Sequence, residues 1–226
     1  MPRIVEILAK MQEKDGKTSD PDRLVRAKKG AELAVREVNE GFPLVYAQGV
    51  VGLWSLLEAL IQQFVSEWIA NDPTALQCEA VAKLRIRLGE YEQLSQAERF
   101  YYIASQLERE TAAGIRNGVE RFEALLRPFK LDGPVPKKLA REIFEFGQVR
   151  NAIVHVGGVT DRQLSESCPW LELAAGSTCR VSEQMFSRYV SASHYYVILL
   201  ICRVGEYFGK DVAKEKEDIF ARYAEH

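Results

Sequence analysis

The sequence lacks the closely spaced cysteine and histidine residues that usually bind a structural zinc ion. Its 226 residues include four cysteines and three histidines, and the cysteines are scattered rather than paired. We expect no metal and no cofactor, and we interpret the cysteines as thiols. A disulfide between Cys168 and Cys179, across a hairpin, is the less favoured alternative in a reducing compartment.

Long apolar runs and a large net charge are also missing. The run Tyr195–Cys202 ends at Arg203 and is far shorter than a bilayer crossing requires. The first residues include Glu6 and Lys10 and no cleavage signature, so we expect no secretory signal, no membrane partner and a cytoplasmic location. The formal net charge of -2 excludes a uniformly basic protein, so any nucleic-acid contact must come from a local patch.

The motifs of several large enzyme classes are absent as well. The chain has no glycine-rich phosphate loop, no His-Glu-x-x-His zinc motif and no serine elbow. This removes the commonest nucleotide-dependent enzymes, metalloproteases and serine hydrolases from consideration.

Apolar residues recur every three to four positions along most of the chain, which predicts an all-α, single-domain helical bundle. We expect N-terminal helices in residues 1–42, a bundle core in residues 43–208 and a tail helix in residues 209–226. A central helix follows Pro43. The Ser95 and Glu98 pair has the spacing of a capping box and predicts a helix from Ser95 to about Leu126.

The second half of the chain has its own start and stop signals. Prolines at 134 and 136 predict a rigid connection before a helix from about Lys137 to His155. A small β-hairpin is expected between residues 170–173 and 179–182, because turn-forming residues separate two β-prone segments. Ser182 then precedes a final long helix that ends near Phe208.

The hexapeptide Arg-Asn-Ala-Ile-Val-His at residues 150–155 is the most informative part of the sequence. Arg150 continues an apolar stripe formed by Leu139, Ile143 and Phe146, where an unpaired guanidinium would be costly. Asn151 and His155 are four residues apart and therefore share one helix face. We expect Gly147 to leave open space one turn earlier, and Gly157-Gly158 to end the helix.

The hexapeptide and its position at the end of a late helix resemble the HEPN superfamily of all-α nucleotide-binding domains. The resemblance covers roughly residues 43–208, and its sharp part is Arg150, the polar residue Asn151 and His155. It implies a homodimer in which two copies of the motif meet in one cleft. It also implies a metal-independent endoribonuclease of a toxin or phage-defence system, with RNA as substrate and an antitoxin protein as a further partner.

The resemblance assigns a role to each residue of the motif. His155 would exchange protons with the RNA 2'-hydroxyl or leaving group, Arg150 would anchor the phosphate, and Asn151 would orient one of them. The 2'-hydroxyl then serves as the nucleophile, and the first product carries a 2',3'-cyclic phosphate. We expect Lys137, Lys138 and Arg141 to hold the RNA backbone, with a solvated surface as an equal alternative.

Other interpretations remain open from the sequence. The domain could be a non-catalytic HEPN-like module for dimerisation or partner binding, or the motif could be a helix-end network that holds the glycine turn. The chain could also be an unrelated helical protein in which the hexapeptide is a coincidence. Arg188 and His194 also fit a looser arginine-to-histidine spacing of the HEPN family, but the residue after Arg188 is Tyr189, which lacks an amide side chain. Glu58 either lines the cleft or, as we prefer, lies on the outer face of the central helix.

Overall fold

The computed structural model describes residues 21–111 and 118–224, and within these ranges the chain is predominantly helical. This confirms the all-α class. The expected N-terminal helices fall partly in residues 1–20, which lie outside the described residues. The α-helices are α1 (Pro21–Asn39), α2 (Pro43–Asn71), α3 (Glu79–Ala82), α4 (Leu88–Glu92), α5 (Gln96–Thr111), α6 (Val119–Leu126), α7 (Lys137–Val156), α8 (Arg162–Ser167), α9 (Glu183–Tyr207) and α10 (Ala213–Arg222).

Helix α2 lies at the centre of the bundle, because it packs against α5, α7 and α9. Pro43 occupies its first turn, where the missing amide hydrogen costs nothing. The Leu44 amide donates to the Glu37 carboxylate at 2.9 Å, which connects the start of α2 to the end of α1. Its core-facing residues are Val50, Trp54, Leu57, Ile61, Val65, Trp68 and Ile69.

By length and composition, α2 is also the one helix of the described part that could cross a membrane. Leu56 and Leu60 are exposed on it, whereas Val50 and Ile61 are buried among the other helices. The central helix of a soluble bundle meets the same length and composition criteria. The absence of a membrane segment therefore stays a prediction.

Local capping signals set several helix ends as expected. The Ser95 amide and hydroxyl both donate to the Glu98 carboxylate, at 2.8 and 2.6 Å, so α5 begins at Gln96. The Ser182 hydroxyl accepts the Met185 amide at 3.2 Å and begins α9. The final long helix ends at Tyr207, and the predicted tail helix is α10.

The helix predicted from Ser95 to Leu126 is divided into two. Helix α5 ends at Thr111, and α6 begins at Val119 after Gly118, which has a φ of 86°. A Cβ atom at Gly118 would lie 3.2 Å from the Phe144 ring of α7. The apolar periodicity of the sequence runs on across residues 112–117, which lie outside the described residues, so the pattern alone did not show that α6 is a separate helix preceded by Gly118.

The predicted β-hairpin is not formed in the described residues. Pro169–Leu171 is a turn of 3-10 helix, and the antiparallel bridge joins Val159 to Thr178 instead. The Cys179 amide donates to the Gly158 carbonyl, and the Thr160 amide donates to the Ser177 carbonyl, both at 2.8 Å. A turn does lie between the two predicted strands. The residue after it, Thr178, pairs with Val159 of the segment that follows α7, not with residues 170–173.

A buried ion pair between Glu123 of α6 and Arg203 of α9 fixes the connection that leads to α7. The two side chains are 2.9 Å apart and each is 6% exposed. Arg203 also donates to the carbonyls of Leu131 and Gly133, and the Tyr196 hydroxyl donates to Glu123 at 2.7 Å. These bonds satisfy both buried charges and hold the proline-rich connection against α9.

Gly147 allows α2 and α7 to approach closely, and the space expected beside it is filled. A Cβ atom at Gly147 would lie 2.9 Å from the Trp54 ring. The prediction of open space there was wrong, because the large indole of the facing helix occupies it. Trp54 in turn packs edge-on against Phe146, with ring centroids 5.0 Å apart.

We expect Gly147→Ala to destabilise the fold although alanine favours helix. Overpacking against Trp54 should cost about 1–3 kcal/mol, partly offset by the helix propensity gain of up to about 1 kcal/mol. Gly52→Ala is the matched control, because that helical glycine has open space around its Cβ position. Urea unfolding should show a lower free energy of unfolding for Gly147→Ala and an equal or higher one for Gly52→Ala. Equal behaviour of both variants would contradict the close approach.

Candidate functional site

The Arg150, Asn151 and His155 side chains lie at the C-terminal end of α7. Upstream, Leu139, Ile143 and Phe146 are fully buried, which confirms the predicted stripe. Arg150 and Asn151 are half-buried and His155 is exposed. The motif therefore begins at the edge of the core and ends at the protein surface.

The Arg150 side chain turns toward Asn151. Its Nη1 donates to the Asn151 Oδ1 at 3.1 Å, and its Nε is buried without a hydrogen-bond partner in the described part of the chain. Because Asn151 and His155 share one face of α7, the guanidinium lies on the side of the helix that carries the histidine. The Nε is out of contact with solvent and does not reach a ligand, whereas the Nη groups carry the N–H donors that bind phosphate or carboxylate oxygens.

Two glycines end α7 directly after Val156, as predicted. Gly157 and Gly158 both have left-handed backbone angles, with φ of 66° and 79°. Their amides donate to the Ala152 carbonyl. The Gly158 carbonyl then accepts from Cys179, so the end of the helix is held by the segment that precedes α9.

A cavity of about 490 Å³ lies beside this turn, but on the other side of α7. Ile153, Gly157 and Gly158 line it together with the end of α1 and the start of α2. Ile153 and His155 project in nearly opposite directions, since successive helical residues advance by about 100°. His155 therefore faces open solvent rather than this cavity.

A buried carboxylate on α7 forms a network that the sequence did not reveal. Glu145 is 2% exposed and accepts hydrogen bonds from Trp170 Nε1 at 2.6 Å and from the Tyr189 hydroxyl at 2.7 Å. It also forms an ion pair with Arg188 of α9. The sequence signal that could have indicated this network is Glu145 itself, a charged residue placed between the core residues Ile143 and Phe146.

This network gives Arg188 a structural role. The guanidinium pairs with the buried Glu145, and His194 is exposed against the edge of Tyr195. Arg188 and His194 are thus not combined in one site in this protomer. Glu58, for which we preferred an outer-face position, is half-buried and forms an ion pair with Arg121 at 3.0 Å.

The basic residues expected to hold RNA lie at the opposite end of α7. Lys137, Lys138 and Arg141 are exposed, and the Arg141 guanidinium lies 4.2 Å from the centre of the Trp170 ring. A helix rises about 1.5 Å per residue, which places Lys137 about 27 Å along the axis from His155. Any RNA that contacts both must run along α7.

Cys168 and Cys179 are free thiols buried near this network. Burial raises the pKa of each thiol to about 11. A thiol in this environment is inert at neutral pH, because the thiolate is the nucleophilic form. The interpretation of these cysteines as thiols agrees with the structure.

No family model, no curated protein and no solved structure matches this chain.

The pH dependence of stability should reveal the buried Glu142. Burial raises the pKa of its carboxyl above the ordinary 4.5, while nearby Arg188 and Lys138 oppose the shift. A raised pKa stabilises the fold at pH values below 4.5, and this contribution is lost as the pH rises through the folded-state value. Glu142→Gln cannot ionise, so its advantage over wild type in urea unfolding should grow from pH 4 to pH 7. An advantage that shrinks over this range would contradict the shift.

Proposed function

We propose that this protein is a metal-independent endoribonuclease of the HEPN type, with Arg150, Asn151 and His155 as its active-site residues. The observation that carries the proposal is the Arg150 guanidinium, whose Nη1 donates to Asn151 Oδ1 at 3.1 Å and so lies on the histidine side of α7. The Nη groups of a guanidinium carry several N–H donors, which bind the oxygens of a phosphate. An exposed imidazole one turn further along supplies a proton-transfer group.

The chemistry needs few protein groups because RNA provides the nucleophile. His155 of one copy accepts the proton of the 2'-hydroxyl. The 2'-oxygen of the RNA then attacks the adjacent phosphorus. The bond between phosphorus and the 5'-oxygen breaks, and that oxygen takes up a proton from His155 of the second copy. Arg150 stabilises the charge that develops on the non-bridging oxygens. The products are a 2',3'-cyclic phosphate and a free 5'-hydroxyl.

A second copy of the chain would supply the missing half of the site. Three apolar side chains near His155 are unusually accessible: Val154 is 45%, Val156 is 39% and Val159 is 40% exposed. Val154 and Val156 project on opposite sides of His155, because they are two helical positions apart, so accessible apolar surface lies on both sides of the histidine. A two-fold dimer through this end of α7 would cover that surface and bring two Arg150 and two His155 side chains into one cleft.

Loss of the histidine should abolish RNA cleavage without loss of the fold. We expect His155→Ala to lower the rate by about 10²–10⁴-fold, the usual contribution of a general acid or base. His194→Ala is the matched control, because His194 is also an exposed helical histidine. Cleavage should be followed on structured and single-stranded RNA, with and without chelator, and with DNA of the same sequence.

The expected products have 2',3'-cyclic phosphate ends, and DNA should resist cleavage. Equal rates for wild type and His155→Ala, or cleavage that also depends on His194, would contradict the assignment. Failure of wild type to cleave any of a diverse set of RNAs would contradict the enzymatic function itself.

The basic residues at the start of α7 should affect RNA binding and not the chemical step. We expect Lys137→Ala with Lys138→Ala to weaken RNA binding and to reduce the slope of log affinity against log salt by about 1 to 2. The rate at saturating RNA should stay unchanged, because both lysines are about 27 Å along the helix from His155. An unchanged salt slope would show that they are ordinary solvated surface.

The accessible valines around His155 also favour a second candidate function, a non-catalytic module that dimerises or binds a partner such as an antitoxin. In that case Arg150 and His155 are interface residues. Their substitution by alanine would then change the mass of the assembly in light scattering, and wild type would leave RNA intact. An enzyme would instead lose cleavage in His155→Ala while the assembly keeps its mass.

A further inference from the structure

The ends of α2 and α9 enclose a cavity of about 420 Å³ that is remote from the Arg150 motif. Helix α2 begins beside the glycine turn after α7, and this cavity lies at its other end, about 40 Å away along the axis. It is therefore a separate feature of the fold. The lining residues are Phe64, Glu67, Trp68, Asn71, Asp72, Pro73, Tyr207 and Phe208.

Four aromatic rings form most of the cavity wall. The Trp68 centroid lies 4.9 Å from that of Tyr207 and 6.0 Å from that of Phe208, and Phe64 is 6.1 Å away. Tyr207 and Phe208 are nearly perpendicular to each other, at 83°. The rings therefore present faces and edges to a common space from several directions.

Two of these rings are poorly covered by the rest of the protein. Tyr207 is 47% exposed and Phe208 is 65% exposed. Leaving so much aromatic surface in water has a free-energy cost, because burial of a ring is strongly favourable. A ligand in the cavity would cover both rings.

Two carboxylates, Asp72 and Glu67, bring negative charge to the cavity wall. Asp72 accepts the Thr74 amide and hydroxyl on Oδ1, at 2.9 and 2.8 Å, and the Tyr207 hydroxyl at 3.2 Å on Oδ2. These hydrogen bonds, the Thr74 amide above all, hold the pKa of Asp72 below its ordinary value. Within the described part of the chain, no lysine or arginine lines the cavity.

Elsewhere the chain covers exposed ring faces with its own arginines. Arg141 lies over Trp170, Arg222 over Tyr195 and Arg99 over Tyr91, at 4.2, 4.7 and 5.0 Å from the ring centres. Among the described residues, no such cation lies over the rings of this cavity. The cavity thus combines aromatic faces and negative charge without an internal counter-charge.

We propose that this cavity binds a small organic cation, an alkylated ammonium whose apolar substituents contact the rings. The face of an aromatic ring carries negative potential and attracts a cation, and tryptophan does so most strongly. A methylated ammonium suits these walls better than a bare one, because it loses less hydration and offers apolar surface. Asp72 and Glu67 complete the charge complementarity at the rim.

The probe for this site is choline, and its neutral isostere 3,3-dimethylbutan-1-ol is the matched ligand control. Both have the same shape, and only choline carries a charge. In calorimetric titration at low salt we expect saturable binding of choline and binding of the isostere at least about tenfold weaker. Equal affinities, or no saturable binding of choline up to about 20 mM, would overturn the proposal.

Single substitutions in the cavity distinguish recognition of the ligand's charge from apolar contact with it, because they should change the affinities for choline and for the isostere differently. Phe208→Leu keeps apolar bulk but loses the π face, so it should weaken choline about three- to tenfold and leave the isostere unchanged. Asp72→Asn should weaken choline in the same way. Ile201→Ala is the matched control, because Ile201 is a 62% exposed apolar residue of α9 that does not line the cavity. Equal loss with Ile201→Ala, at an unchanged melting temperature, would contradict the assignment.

Discussion

The contact between Trp54 and Gly147 fixes the distance between the two central helices, and the rest of the bundle is arranged around it. The indole occupies the place of a side chain on α7 and also touches Phe122 of α6 and Phe146 of α7. Phe146 stacks on Tyr189 of α9, with centroids 4.9 Å apart. One chain of aromatic contacts thus connects α2, α6, α7 and α9.

This packing determines which polar side chains of α7 are accessible to a ligand. In the middle of the helix almost every position is buried, and Glu145 is tolerated there only because Trp170, Arg188 and Tyr189 satisfy it. Toward its C-terminal end α7 leaves the core again, and there Arg150, Asn151 and His155 become accessible. The candidate site is therefore a consequence of where the core stops.

The sequence predicted the features that depend on residues close together in the chain. It did not predict those that depend on contacts between residues far apart in the chain. The helix ends at Ser95, Ser182 and Gly157 were predictable, since caps involve residues a few positions apart. Gly147 was misjudged because its neighbour is Trp54, far away in sequence. The hairpin was misassigned for a similar reason, because the bridge at Thr178 joins Val159 and not the adjacent segment.

For the candidate site, the motif and its helical register came from the sequence, whereas the arrangement of its side chains did not. The turn of Arg150 toward Asn151, and the commitment of Arg188 to Glu145, required coordinates. The most direct test of a shared active site is the RNA-cleavage rate of a heterodimer with one wild-type and one His155→Ala protomer, isolated through two different tags. A cleft that needs both copies predicts a rate near background, and about half of the wild-type rate would contradict it.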